Sequence, residues 1–386
     1  MDFGVQPVVK KREGRRKSRF GCRNCKLRKL KPLSEKRAKQ EIPCRAARLP
    51  SPRPAISNAI WADDGSTFFM LDSKDQELFN RFRYRTVYSL GGSVMVDIYE
   101  SHMLWASFTC PFLMHGSLAA AAVHDRYLGV TPAPRRSLRE SYHWFQCTIL
   151  FNKRLSQHIK EEDKDPLWAT AGSIGILTFS SINACLPDHA WPLGAPDPSD
   201  LDWLRLGAGK MSLWYLLDPL RPGSVFRSMS ETLQQMHQPL PEKGLDSVLA
   251  ELVHVCGLSE SSSRENNPYF TVAHGLSRLL EKPRGEASQN SALGVASKMH
   301  NDFRMCLEKK DPIALLLLCL WYTRARETRW WIDFRARYEI PAICTYLQRY
   351  HKDNSAIQAL IPWDEMRESN QEVHDNEKLC LLGQPG

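Results

Sequence analysis

Residues 111–128 read PFLMHGSLAAAAVHDRYL. Pro111 opens a helical segment, since a proline at the first position gives up an N–H that would lack a partner there anyway. Gly116, Ser117 and Ala119 to Ala122 are small enough to let neighbouring helices approach closely. Helical spacing continues on both sides. Upstream, from Asp72 onward, Leu78, Phe79, Phe82 and Val87 recur at roughly helical intervals, with Ser73 and Gln76 at capping-box spacing. Downstream, residues 138–159 offer Trp144, Phe145, Ile149, Leu150 and Leu155 as an apolar face. Asp165-Pro166 reads as an N-cap and first helical residue, opening PLWATAGSIGILTFSSI. A proline-rich loop over 186–199 precedes DLDWLRLGAGKMSLWYLL. Shorter helices are expected over 245–256 and 268–281, an exposed loop over 281–290, and further helices over 291–307, 312–328 and 330–350. Alternating patterns are nearly absent, and only Ser93 to Tyr99 is strand-like. The expected fold class is mainly α.

The 386 residues have room for one large domain or two ordinary ones with tails. Their charge is divided unevenly. Residues 1–53 hold 18 Lys and Arg against Asp2, Glu13, Glu35 and Glu41; the chain totals of 52 basic and 43 acidic residues leave 34 and 39 for the rest. A cationic N-terminus therefore precedes a slightly acidic body, which points to a polyanionic partner for the N-terminus alone. Eight of the 11 cysteines, Cys110 to Cys380, are scattered singly among apolar residues, as buried reduced thiols would be. The basic start lacks the apolar run of a signal peptide. The longest such run, IALLLLCLWY at 313–322, is about half a bilayer span. A soluble, intracellular protein without a membrane span is expected.

Within the basic segment, Arg15 to Lys31 read RRKSRFGCRNCKLRKLK. Two residues between Cys22 and Cys25 let both thiolates reach one metal ion. A redox dithiol would have the same spacing, but that chemistry sits at a strand-to-helix junction, and here a charged tail precedes it. GCRNCKLRKLK resembles the start of the fungal zinc binuclear cluster, the Zn(2)-Cys(6) DNA-binding domain, whose pattern is C-x2-C-x6-C, a proline-containing loop, then C-x2-C-x6-9-C. The resemblance implies zinc held by Cys22, Cys25 and, in the Pro43-Cys44 pair that looks like the start of the second half, Cys44. It implies a short helix after Cys25 in which Arg28 and Lys29 read guanine edges of a CGG-like triplet in double-stranded DNA. Arg23, Lys26 and Lys31 would take phosphates, which position without specifying. The bland alternative is a solvated basic run.

The chain departs from the pattern after Lys31. Pro32 stands where the third ligand belongs, Ala47 where the fifth does, and no cysteine follows before Cys110. Three thiolates cannot build a binuclear cluster, and a single tetrahedral zinc needs a fourth donor. Either the ligand set has decayed or the coding sequence between Lys31 and about Pro54 is misassembled; the abruptness of the break fits the second.

The body is similar to the fungal-specific regulatory domain behind such clusters, of the sterol-uptake-control type. PFLMHGSLAAAAVHDRY (111–127), WLRLGAGKMSLW (203–214), the apolar run before Trp330-Trp331, and IPWDEMRE (361–368) carry that similarity; Gly207-Ala208-Gly209 departs from it. It implies an all-helical domain that binds a lipophilic effector and forms a homodimer. Trp144, Trp203, Trp214, Trp321, Trp330 and Trp331 would line a pocket or belong to the core. His115 and His124 are nine positions apart on one helix, too far for one metal, and read as core or surface residues. No HExxH, P-loop, GxSxG or GxGxxG motif points to an enzyme. The expected layout is a disordered basic arm (1–21) with KKREGRRKSR as a nuclear-import run, a partial zinc-cluster segment (22–48), a proline-rich linker (49–70) and an all-helical regulatory domain (71–386). The family's regulators act in the nucleus on genes such as those of sterol uptake or secondary metabolism, and the alternative is an effector-binding or interaction domain that has lost zinc and DNA.

Overall fold

A computed structural model of the chain describes residues 58–61, 67–130, 136–182, 184–283, 289–299 and 302–382. The described residues belong to one compact unit. It is mainly helical, as the periodicity predicts. A two-stranded antiparallel hairpin, β1 (Ala59–Trp61) and β2 (Thr67–Met70), opens it. The hairpin falls in the stretch expected to be linker. With three and four residues it offers no alternation to read, and it is held by packing: Ile60 is fully buried and the Trp61 N–H donates to the Phe108 carbonyl at 2.8 Å.

Helix α1 (Ser73–Arg81) is capped by Asp72, whose carboxylate accepts from the Asp75 N–H at 2.8 Å. The cap is thus one residue earlier than the Ser73–Gln76 box implied, and the Gln76 amide donates instead to the Leu71 carbonyl. The helix runs through a π turn, Phe82–Thr86, into Val87–Leu90, and Leu78, Phe79, Phe82 and Val87 are buried as expected. Ser93–Ile98, the one strand-like stretch, is helical (α2).

Helix α3 (Pro111–Tyr127) is buried on nearly every face. It packs against α4 (Leu138–Leu155) and α5 (Glu161–Phe179), and its small residues permit this. A Cβ on Gly116 would already sit 3.2 Å from Cys147 Sγ and 3.4 Å from Ser173 Cβ. Helix α5 begins five residues before the expected start. Asp163, not Asp165, receives the Lys160 N–H at 3.0 Å, so Pro166 lies inside the helix. Asp165 turns to the neighbouring loop, accepting from Ser224 Oγ at 2.8 Å and the Val225 N–H at 2.9 Å. Glu161 to Asp163 form the first turn of α5, where acids face the positive end of the helix, and Glu161 and Glu162 are exposed. Asp163 is buried against Arg154.

Helix α6 (Asp202–Leu217) crosses α5. Four shorter helices follow: α7 (Ser230–Met236), α8 (Ala250–Cys256), α9 (Phe270–Leu280) and α10 (Gln289–Ala296). The helix expected over 291–307 is two, α10 and α11 (Asp302–Glu308). Helix α12 (Pro312–Ala325) is the apolar run IALLLLCLWY with a start signal: Asp311 accepts from the Ile313 and Ala314 N–H groups at 3.1 and 2.9 Å, and Pro312 takes the first position. Ten of its residues are buried, so its apolarity is that of a central core helix. No helix among the described residues is long and apolar enough to cross a membrane. Helix α13 (Trp330–Tyr350) packs along α12 and against α14 (Trp363–Leu382).

One hydrophobic cluster joins α5, α6, α9, α12 and α13. Phe179 is its hub, with ring centroids 4.7 Å from Trp203, 6.2 Å from Trp321 and 5.2 Å from Trp331. Trp203, Trp321, Trp330 and Trp331 are therefore core. At the hub Arg335, only 3 % exposed, ends α5. Its Nε donates to the Phe179 carbonyl at 2.7 Å and its Nη2 to the Ser181 carbonyl at 2.9 Å, satisfying acceptors that the helix leaves open. Its charge is met by Glu339, which also accepts from the Tyr322 hydroxyl at 2.7 Å. A second network gathers on Asp333, which accepts from Arg326 (2.7 Å), Arg337 (2.6 Å) and the Tyr127 hydroxyl (2.9 Å), tying α3 to α12 and α13. Arg326 carries it on to Glu372 of α14. Cys110, Cys147, Cys185, Cys256, Cys306, Cys319 and Cys344 are free thiols, as their scatter implied.

Candidate functional site

Cys22, Cys25 and Cys44, with Arg23, Lys26, Arg28, Lys29 and Lys31, lie outside the described residues, as do the 1–21 arm and the 22–48 segment. The chemistry of that donor set stands on sequence alone: three thiolates, half of what a binuclear cluster takes. Among the described residues no group of three or more His, Cys, Asp or Glu is placed to hold a metal ion.

Two other sites emerge from the body, both built on α4. The sequence gives α4 an apolar face of Trp144, Phe145, Ile149, Leu150 and Leu155, and the structure shifts it: Trp144, Leu150 and Leu155 are half-buried. Phe145 and Ile149 are exposed (61 % and 45 %), in line with Leu138 and Tyr142. The buried stripe is Glu140, His143, Cys147, Phe151 and Arg154. Polar side chains go inward because each meets a partner. Glu140 meets Arg126, Arg154 meets Asp163, and His143 meets Asp75 and His115.

The first site is this histidine pair. His143 Nε2 lies 3.0 Å from Asp75 Oδ1, and His143 Nδ1 lies 2.8 Å from His115 Nδ1. With both rings neutral, His143 donates to the carboxylate through Nε2, which leaves its Nδ1 to accept the Nδ1–H of His115. Arg139 compensates the Asp75 charge and is itself forked onto Asp72 at 3.1 and 2.8 Å. Phe69 of the hairpin stacks on His115 with centroids 4.5 Å apart, so the array pins β2, α1, α3 and α4 together. His124, the other histidine of α3, stacks on Trp330 at 4.5 Å and meets Thr86 Oγ1 at 3.1 Å; like His115 it is a core residue.

Burial, then the neighbouring His143, pushes the His115 ring down to about 3 from 6.5. A histidine with a depressed native pKa refuses the proton that the unfolded chain takes up. Its stabilisation is therefore complete above 6.5 and is lost as pH falls from 6.5 towards 3. Urea titrations at about pH 7 and pH 5 should show a loss of about 2 kcal/mol from this ring, and His115→Gln should remove that part of the pH dependence. Equal slopes in the two proteins would contradict the assignment.

The second site is a cleft of about 920 Å³ between α4, the C-terminal end of α5 and the start of α6. Helix α4 contributes Ser141 and Trp144, the end of α5 Thr178, with Ser181 and Ile182 beyond it, and α6 Asp202, Arg205 and Leu206. Arg126, at the C-terminal end of α3, and Arg136, just before α4, complete one wall. Arg126 is forked onto Glu140 at 3.1 and 2.8 Å and lies over Phe334 at 4.7 Å. Arg136 lies over Trp144 at 4.2 Å and donates to the Ser181 hydroxyl. Burial, with Arg126 beside it, lowers the Arg136 pKa against the opposing pull of Glu140. Of the six tryptophans expected to line a pocket, Trp144 does so in this cleft, while Trp214 packs edge-on against Trp168, 5.5 Å away. The cleft is more polar than the apolar pocket expected. No signal in the sequence gathers its residues, because they come from four separate segments.

No known protein-family model matches this chain, and no curated protein is recognisably similar to it in sequence.

Proposed function

We propose that this protein is a nuclear transcriptional regulator of the fungal zinc-cluster type, in which a basic N-terminal segment meets double-stranded DNA and a helical body receives a small effector. The observation that carries this reading is the Cys22-x-x-Cys25 pair set in a segment with 18 basic residues and four acids, ahead of a slightly acidic body. Such a split confines polyanion binding to one end of the chain. The mainly helical body with a ligand-sized cleft supports the effector part. Arg28 and Lys29 are the base-reading residues of the proposal, and Arg23, Lys26 and Lys31 its phosphate contacts. The KKREGRRKSR run is its import signal, and a homodimer would pair two half-sites.

Cys22, Cys25 and Cys44 are the thiolates that would hold zinc. They do not complete a binuclear cluster, so the proposal commits to one ion per chain at most. Metal analysis of the purified full chain tests it: close to one zinc per chain is expected, with a water molecule as the fourth donor beside the three thiolates, falling to none in Cys22→Ser. Pro32 and Ala47 at ligand positions favour a second reading, an effector-binding or interaction protein without DNA binding. Zinc-free wild-type protein with no sequence preference on DNA would select it.

A further inference from the structure

One wall of the cleft holds two guanidinium groups on a single carboxylate. Glu140 accepts both of its close bonds from Arg126, at 3.1 and 2.8 Å, whereas Arg136 comes no nearer to it than 3.8 Å. The one Glu140 carboxylate is shared by the Arg126 and Arg136 guanidinium groups, which leaves this wall one positive charge in excess. On the opposite wall Arg205 meets Asp202 at 3.0 Å and Glu308 at 3.4 Å, and Arg304 also meets Glu308 at 3.8 Å, so two bases match two acids there. Arg136 thus brings an unbalanced positive charge to the cleft. Its plane is held over Trp144, and the Ser181 hydroxyl stands beside it. Trp144, Ile182 and Leu206 give the same space apolar surface.

We propose that this cleft binds an organic carboxylate with a flat apolar body, its carboxylate taken by Arg136 and the Ser181 hydroxyl and its body lying against Trp144, Ile182 and Leu206. A guanidinium fork matches a carboxylate in two parallel hydrogen bonds, and stacking on an indole fixes the fork before the ligand arrives. The cleft's volume lies within the range of small-molecule sites, with room for a ligand of two or more fused rings. An inorganic anion would satisfy Arg136 but leave the apolar wall in water. A neutral lipid would cover that wall but leave Arg136 without its counter-charge. The proposal rests on reading the body as an effector-binding domain and is independent of the zinc segment.

Titration calorimetry on the full chain with 2-naphthoate, its neutral analogue 2-naphthamide and inorganic phosphate tests it. Naphthoate is expected to bind once per chain, and the amide about tenfold more weakly or worse, since a charge-assisted pair is lost. Phosphate is expected to bind more weakly than naphthoate. Arg136→Met, with an unchanged circular dichroism spectrum, should cost naphthoate about tenfold or more and leave the amide unaffected. Ser181→Ala is the milder second variant and should weaken naphthoate severalfold. Arg264→Met, on an exposed loop, should change nothing. Equal affinity for acid and amide, phosphate binding as tight as naphthoate, full naphthoate affinity in Arg136→Met, or no binding of any probe would each overturn the proposal. Naphthoate that saturates the cleft without altering affinity for DNA would leave the site standing and sink the effector reading instead.

Discussion

Arg335→Met is expected to destabilise the helical body by about 3–5 kcal/mol, the scale for breaking a buried ion pair from one side. The variant keeps much of the side-chain volume but removes three contributions together. Glu339, 1 % exposed, loses its counter-charge and retains the Tyr322 hydroxyl. The Phe179 carbonyl at the end of α5 loses its donor in a buried place, and the half-buried Ser181 carbonyl loses its donor as well. The Phe179 ring, hub of the tryptophan cluster, loses the guanidinium 5.5 Å from its centre. The melting temperature should fall by roughly 5–10 °C.

The variant's pH dependence separates these causes. Burial already raises the Glu339 pKa, with Arg335 opposing. An acid that holds its proton more tightly in the native state than in the unfolded one loses stability as pH rises above its unfolded value. Without Arg335 that loss grows, so the variant should be less impaired near pH 5 than near pH 8. Glu339→Gln in the Arg335→Met background should recover part of the loss by removing the stranded charge. A variant within about 1 kcal/mol of wild type would show that the pair does not anchor α5.

The second large effect is expected on DNA. Under the proposed function, Arg28→Ala with Lys29→Ala removes the guanine contacts, each worth about 1–3 kcal/mol of discrimination. Preference for a CGG-bearing duplex over a scrambled one should therefore collapse, while binding to both persists. Replacing Arg23, Lys26 and Lys31 by alanine should do the reverse. Affinity falls alike on both duplexes, and the slope of log K against log salt shrinks by roughly three times 0.9. If the first set weakens both duplexes equally, Arg28 and Lys29 are phosphate contacts and the base-reading assignment fails.

Much of the fold was legible because its central helices carry start signals and continuous apolar runs. Pro111 and Asp311-Pro312 mark the starts of α3 and α12, and Trp330 to Tyr350 is bounded as periodicity predicts. Legibility failed where polar groups go inward. Glu140, His143 and Arg154 look like the wet face of α4, and only their partners on α1, α3 and α5 make burial favourable. Those partners lie up to 68 positions away, beyond any local pattern. Pro166 misled in a different way. A proline is most at home at a helix start, yet here three acids and the Lys160 cap extend α5 by five residues before it. The histidine array and the Arg126–Glu140 wall of the cleft both depend on the buried polar side chains of α4, so neither could be read from spacing. The Cys22-x-x-Cys25 pair shows the converse: it is legible from local sequence as a candidate metal motif, and the ligand set that its resemblance implies is short at Pro32 and Ala47.

The central claim, that this chain recognises DNA through its N-terminal segment, is tested most directly by fluorescence anisotropy. Purified full-length protein would be titrated against a labelled duplex carrying paired CGG triplets and against a scrambled duplex, at one fixed physiological salt concentration. The account predicts tighter binding to the CGG duplex by about tenfold or more, the scale of one to two specific base contacts. Equal affinity for the two duplexes would contradict it, and would leave the helical body and its cleft to carry the protein's function.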